Sequence, residues 1–265
     1  MSILYKMRIF LLINNDNLYQ PYIYERIIVA RREEIVGIGL VPFLPPKRGK
    51  RHFYRFFLRL YGVRGTIIKS TQLFYYKALS IFEPFFSFSR SYSIRNLARR
   101  YAIPLWHIHN INDQESVRLL RSLQPDIIIS GQGQLIEKEV LDIPRIGIIN
   151  KHAGMLPNYR GTYPIFWAML NNEQEVGITV HFMNEKFDDG EIIVQRRIIV
   201  EGGDTFESLY KKVIEVTPEI MFEALDRIEK KEASGIENVS ADATYYSYPQ
   251  KGDILKFKRM GKRII

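Results

Sequence analysis

Four short stretches of the chain are apolar almost throughout, not at alternate positions: residues 7–14 (MRIFLLIN), 34–41 (EIVGIGLV), 126–130 (DIIIS) and 146–150 (IGIIN). A strand that meets water on one face alternates apolar and polar residues. A strand that is apolar on both faces must be covered on both. Helical patterns separate these runs, at 19–32, 93–101 and 113–122. The last places Val117, Leu119, Leu120 and Leu123 on one repeat and begins with Asp113 as a cap. Two-faced strands alternating with helices predict a parallel sheet with helices on both sides. Residues 103–109 (IPLWHIH) add a strand. Residues 178–183 (ITVHFM) and 191–200 (EIIVQRRIIV) alternate and read as an antiparallel extension. The apolar repeat of 205–231 predicts a long helix, capped by Asp204 and kinked at Pro218. After it the structural signals are weak. The expected fold is α/β: a mostly parallel, Rossmann-like open sheet with an antiparallel extension, then a C-terminal helix and tail.

Ligands of open parallel sheets sit beyond the carboxyl ends of the strands. Asn150 and His152 lie at such an end, two residues apart, so their side chains face the same way. A second strand ends in SGQGQ (130–134). The turn NEKFDDGE (184–191) follows the strand that carries His181. Asn, His and Asp together suit attack of an amine on an activated acyl group. An amide and an imidazolium can donate to the oxyanion, an imidazole can carry the proton, and a carboxylate can orient it or keep it charged. Each residue also has a plainer reading. An Asn at a strand end forms turns, a lone His is often a surface or core residue, and FDDG makes a tight turn. SGQG lacks the lysine of a phosphate loop. His107 and His109 alternate on a strand with no carboxylate beside them, and no metal is expected.

Taken together, the motifs PDIIISGQGQLI, VLDIPRIGIINKHAGMLPNYRG and GITVHFMNEKFDDGEII resemble the folate-dependent formyltransferase family, over about residues 124–200. That family includes glycinamide ribonucleotide, methionyl-tRNA and amino-sugar formyltransferases. Asn150, His152, Leu156, Pro157, Thr179, His181, Asp188 and Gly190 match its Asn-x-His-x-Ser-Leu-Leu-Pro, Thr-x-His and Asp-x-Gly pattern in order and spacing. Ala153, Gly154 and Met155 depart from it. The resemblance implies Asn150, His152 and Asp188 as the catalytic set, with Asp188 chosen over Asp189 by the turn. It implies 10-formyltetrahydrofolate as donor, in a pocket of Gln134, Leu135, Ile136, Leu141, Met183 and Phe187. The loop with Arg160, Gly161 and Tyr163 is expected to wall the acceptor side, with Arg160 meeting an acceptor phosphate or remaining solvated. Residues 1–204 are then the catalytic domain, with a basic insertion at about 46–90, and 205–265 the C-terminal helix and tail without a separate barrel domain. The missing barrel ranks a small amine acceptor first, an amino sugar or sugar nucleotide. Methionyl-tRNA comes second and hydrolysis of the donor third.

Composition adds bounds. The chain has 265 residues and no cysteine, which excludes disulfides, thiolate metal sites and a cysteine nucleophile. No window reaches the ~18 uncharged apolar residues of a membrane span, the apolar run at 9–13 is too short for a signal peptide, and a cytoplasmic location is expected. The net charge of +9 is local: residues 46–82 hold nine Lys or Arg and no Asp or Glu. Within 47–64, Arg51, Arg55 and Arg59 recur every four residues, beside Phe53, Phe56, Phe57 and Leu60 at helical spacing. This segment reads either as a helix docked on the core with solvated arginines or as a weak contact with an anionic membrane, at the inner membrane face. A different class of function is an inert formyltransferase fold that keeps this segment as a basic binding module. Nucleic acid is expected as partner only if the acceptor is tRNA.

Overall fold

A computed structural model describes residues 6–42, 49–86, 88–232, 237, 238, 241 and 243–265. The strands are β1 (Ile9–Asn14), β2 (Ile35–Val41), β3 (Leu105–His107), β4 (Ile127–Gly131), β5 (Gly147–His152), β6 (Arg160–Gly161), β7 (Glu175–Phe182), β8 (Ile192–Ile199) and β9 (Tyr245–Tyr246). The helices are α1 (Gln20–Arg31), α2 (Lys50–Phe82), α3 (Ile94–Arg100), α4 (Gln114–Leu123), α5 (Lys138–Leu141), α6 (Pro164–Leu170), α7 (Phe206–Glu229) and α8 (Lys251–Arg259). One sheet runs in the order β3-β2-β1-β4-β5-β7-β8. The first five of these are parallel, and β7 and β8 are antiparallel. The expected α/β architecture with its antiparallel extension is the one observed.

The two-faced strands have a direct structural cause. Ile9, Leu11, Ile13, Ile127, Ile129 and Ile149 enter one core with α1 and α7. The alternate residues Phe10, Leu12, Ile128 and Ile148 enter a second core with Val117 and Leu120 of α4. Fully burying one such side chain contributes about 1.5–3 kcal/mol. The chain builds outward from β1 through β2 to β3, then restarts on the other side with β4. Strand order therefore reverses between β1 and β4, which opens a crevice at their carboxyl ends.

Several local expectations are corrected. β3 is only three residues long. Thr205, not Asp204, caps α7: its hydroxyl accepts from Ser208 N, and Ser208 returns a bond to Thr205 N. Asp204 instead accepts from Ser208 Oγ. α7 runs through Pro218 as one helix. Within the weakly signalled tail, residues 243–265 carry two further elements. β9 pairs with β6, and α8 buries Ile254 and Phe257, whose ring stacks on Phe166 at 4.6 Å. α7 and α8 thus share the main core.

In the basic insertion, Pro46, Lys47 and Arg48 lie outside the described residues. α2 is two helices joined at Gly62, whose φ of +67° and ψ of −179° exclude most side-chain-bearing residues. Ahead of this joint Phe56 and Leu60 are buried, while Arg51, Arg55 and Arg59 are exposed. The Phe56 ring meets Tyr163 and Tyr248 edge-on at 5.3 Å. The aromatic repeat of 53–60 is therefore a docking face. Beyond the joint, Lys69 is buried against Glu207 at 2.5 Å, and Tyr61 and Tyr19 donate to the same carboxylate.

Candidate active site

The two dipeptide-spaced motifs meet across one ladder. β5 and β7 pair so that Asn150 faces His181 and His152 faces Thr179. Asn-x-His and Thr-x-His are thus one cross-strand patch. Asn150 Nδ2 lies 3.5 Å from His181 Nε2. The turn after β7 delivers Asp188 to both histidines: Oδ2 is 3.4 Å from His152 Nδ1 and Oδ1 is 3.6 Å from His181 Nε2. Gly161 N donates to Asp188 Oδ2 at 2.8 Å. His152 Nε2 faces the Tyr159 carbonyl at 2.9 Å, which places the resting ring proton on Nε2 and leaves Nδ1 toward Asp188.

Electrostatics separate the roles. Burial alone would raise the Asp188 pKa, but His152, His181 and the Gly161 N–H outweigh it and hold it at about 2. Burial pushes His152 below its ordinary value; Asp188 opposes that and His181 adds to it. The expectation that Asp188 keeps His152 charged is therefore not met in the resting site, because desolvation wins. Asp188 is the anion and His152 a neutral imidazole. A proton arriving at Nδ1 would be held by Asp188, with Nε2–H already on Tyr159 O. The pair is built to accept a proton.

The departing residues Ala153, Gly154 and Met155 are explained by packing. A Cβ at Gly154 would lie 2.7 Å from His152 Nε2 and 2.9 Å from Pro164 Cβ, so only glycine lets this loop lie against the imidazole. Thr179 Oγ1 donates to Gly154 O at 2.7 Å and fixes it there. Gly177 leaves room for the Met155 sulfur.

Of the residues expected on the acceptor side, two are used otherwise. Arg160 is buried. It pairs with Asp189, and its Nη2 donates to Asn238 Oδ1 at 2.8 Å. Its guanidinium is committed to bracing the turn, because Asp189 and Asn238 close on it. Tyr163 packs its ring against Phe56, Phe206 and Tyr248. Gly161 serves Asp188. On the donor side, Gln134 is also committed: Oε1 accepts from Ile111 N at 3.0 Å, and Nε2 donates to His109 O at 2.9 Å. Ile136 is buried, with Leu141 and Met183 packed on the same cluster. Leu135 and Phe187 are exposed, 46% and 55%, leaving two apolar side chains available to a ligand.

Asn238 and Lys151 at the site, and the placement of His181, are not visible in the sequence. Asn238 Nδ2 donates to Asp188 O at 3.0 Å and to Gly190 O at 2.9 Å, so it clamps the catalytic turn. It lies in a stretch with no periodic signal. His181 was visible in the pattern, but its position against Asn150 needed the strand register. Lys151 sits between Asn150 and His152 and takes the opposite face of β5. Burial lowers its pKa to about 8, while Asp16, beyond β1, partly restores the charge. Asp16 also bears on Tyr19 and Tyr210. Lys151, Asp16 and these rings are thus within electrostatic reach of one another beyond the ends of β1 and β5. Among the described residues, no group of three or more His, Asp or Glu side chains is placed to hold a metal ion.

Fold and site together define a class: open-sheet proteins with an amide, an imidazole and a carboxylate converging beside the topological switch. The family profile described as "Formyl transferase" matches residues 78–225, more than half of the chain. The chain belongs to the formyl transferase family. Methionyl-tRNA formyltransferase of Thermotoga maritima is 32% identical over 163 residues, 61% of this chain and 52% of that protein. The chain spans about half the length of the curated relatives it matches. Two solved structures share the fold. The N-formyltransferase of Helicobacter canadensis, in complex with folinic acid and dTDP-3-aminofucose, superposes with a TM-score of 0.59 at 16% identity, covering 91% of this chain and 71% of that one. Phosphoribosylglycinamide formyltransferase of Anaplasma phagocytophilum gives 0.59 at 17% identity, covering 92% and 100%.

Proposed function

We propose that the protein moves a formyl group from 10-formyltetrahydrofolate to the amine of an amino sugar carried as its nucleotide, in the cytoplasm. The observation that carries this reading is the cross-strand patch of Asn150, His152 and His181 closed by Asp188. The donor brings the formyl carbon. The amine nitrogen bonds to that carbon, and the carbonyl oxygen gains negative charge, to which Asn150 Nδ2 donates. The ammonium proton passes to His152 Nδ1, held by Asp188, and returns to the donor nitrogen as its bond to the formyl carbon breaks. Leu135 and Phe187 suit the flat apolar part of a folate, and the neighbour with folinic acid supports a folate donor.

Two features favour an anionic sugar acceptor. Lys151, with no ion pair among the described residues, offers a cation at the catalytic strand end, on the face of β5 opposite Asn150 and His152. The structural neighbour from Helicobacter canadensis is in complex with a compound of this kind, dTDP-3-aminofucose. The sequence relatives favour a second reading, methionyl-tRNA as acceptor. A competition assay decides: protein, labelled donor, a panel of dTDP- and UDP-linked amino sugars, and methionyl-tRNA in one tube. Label in a sugar nucleotide is expected. Label in the tRNA installs the second reading, and label in neither overturns both.

A further inference from the structure

The half of α2 beyond Gly62 turns a broad apolar face to solvent. Val63, Ile67, Phe74 and Ile81 recur at spacings of four, seven and seven, and all are more than half exposed. Tyr75 and Phe82 lie one residue on, and Phe85 and Phe86, 78% and 62% exposed, extend the face past the helix end. A contiguous apolar patch of this kind on a folded surface marks a contact.

The charges around it have one sign. From Gly49 to Phe82 there is no Asp or Glu; Arg64 and Lys77 are exposed on this half, and Arg55 and Arg59 are exposed just ahead of the joint. The first acid, Glu83, is turned inward, accepting from Tyr92 N and Asn96 Nδ2, each at 2.9 Å. Lys69 is turned inward on Glu207. The outward face is therefore apolar, aromatic and purely basic.

We propose that this face lies in the interface of an anionic lipid bilayer, the phenylalanines entering the acyl boundary and the arginines and lysine meeting phosphate headgroups. A second copy of this chain is a poorer occupant, because two basic strips would face each other. Among the described residues no helix is long and apolar enough to cross a membrane, so the contact is in-plane. The inner side of the same helix supplies Tyr61 and Lys69 to the Tyr19–Glu207 cluster beside the crevice, so a docked bilayer would lie next to the acceptor side.

The chain has no cysteine, so Tyr75→Cys gives a unique dye site, and Glu115→Cys on α4, across the sheet, gives a control. With vesicles of phosphatidylcholine plus phosphatidylglycerol at low salt, a polarity-sensitive dye at 75 should brighten and shift to the blue. The dye at 115 should not. Arg55, Arg59 and Arg64 changed together to Gln should weaken vesicle flotation on the order of 100-fold, and Phe74→Ser with Phe85→Ser should abolish it. Light scattering runs alongside. A dye at 75 unmoved by anionic vesicles, or flotation unchanged in both variants, overturns the proposal. So does a wild-type dimer that the Phe→Ser variant splits, which would assign the face to a second copy.

Discussion

The carboxyl end of the sheet and the outer face of α2 are made from the same kinds of residue and use them in opposite ways. At the sheet end the catalytic turn is a closed network: Asp188 sits between two histidines, Arg160 on Asp189, and Asn238 over the Asp188 and Gly190 carbonyls. On α2 the cations and the large apolar side chains point outward together. The family profile covers residues 78–225, so both histidines, Asp188, Asp189 and Arg160 fall inside it, Asn238 falls just beyond it, and nearly all of α2 falls before it. A closed polar network can be interpreted from the protein alone. An open basic and apolar face has meaning only against something outside it.

The largest expected effect breaks the comparison at its catalytic end. Asn150→Ala removes the oxyanion donor and should lower turnover by about 10²–10³. His152→Ala should cost at least as much, and the double variant little more, because the two act on one reaction centre. Phe74→Ser on the α2 face should leave turnover on a soluble acceptor unchanged. Steady-state rates on these proteins test the division. A His152→Ala protein at wild-type turnover would sink the site.

The next effect tests whether closure is structural. Asp189→Asn removes the charge that neutralises the buried Arg160. Leaving one member of a buried pair alone costs about 3 kcal/mol or more. Urea unfolding should show that loss, and turnover should fall with it because the same turn carries Asp188. Arg55→Gln, on the exposed face, should change stability by no more than about 0.5 kcal/mol.

How much of this was legible depends on whether local pattern or distant contact decides. The strands β1, β2, β4 and β5 were legible because burial on both faces removes alternation. Asn150, His152 and Asp188 were legible because motif spacing survives in one dimension. The fate of Arg160 was not, since its partners Asp189 and Asn238 lie 29 and 78 residues away. α8 was missed because it buries only Ile254 and Phe257, too few to make a repeat. Docking of 53–60 was one of two readings that its spacing left open, and the open face beyond Gly62 depends on a backbone joint that spacing does not reveal.

A third effect, smaller, follows from titration. Asp188 drops from an ordinary 3.8 to about 2, so its stabilisation is complete above 3.8 and is lost as pH falls toward 2. That is about 2 kcal/mol. His152 is also depressed, so its share is complete above its ordinary value of 6.5 and declines below it. Stability should therefore fall in acid in two stages. Asp188→Asn should flatten the lower one. It should also move the acid limb of kcat/KM to lower pH, because Asp188 is the group that raises His152. Unfolding free energy and rate against pH, on wild type and variant, measure both. An unchanged lower stage would show that the carboxylate is not held by the histidines.

The smallest effect concerns the joint that separates the docked half of α2 from its open half. Gly62 has a backbone conformation that is almost restricted to glycine, yet a Cβ there would meet nothing within 4 Å. Gly62→Ala therefore carries a pure conformational cost, about 1–2 kcal/mol, with no crowding to confuse it. The chain cannot relieve that cost by straightening. Phe56 is held against Tyr163 and Tyr248 on one side of the joint and Lys69 against Glu207 on the other, so a continuous helix would pull one anchor out. Hydrogen exchange should show which. Faster exchange across 53–60 with 63–82 unchanged means that the aromatic dock yields before the buried ion pair. A loss below about 0.3 kcal/mol would mean that the joint is not locked, and that the docked and open halves of α2 owe their difference to their side chains alone.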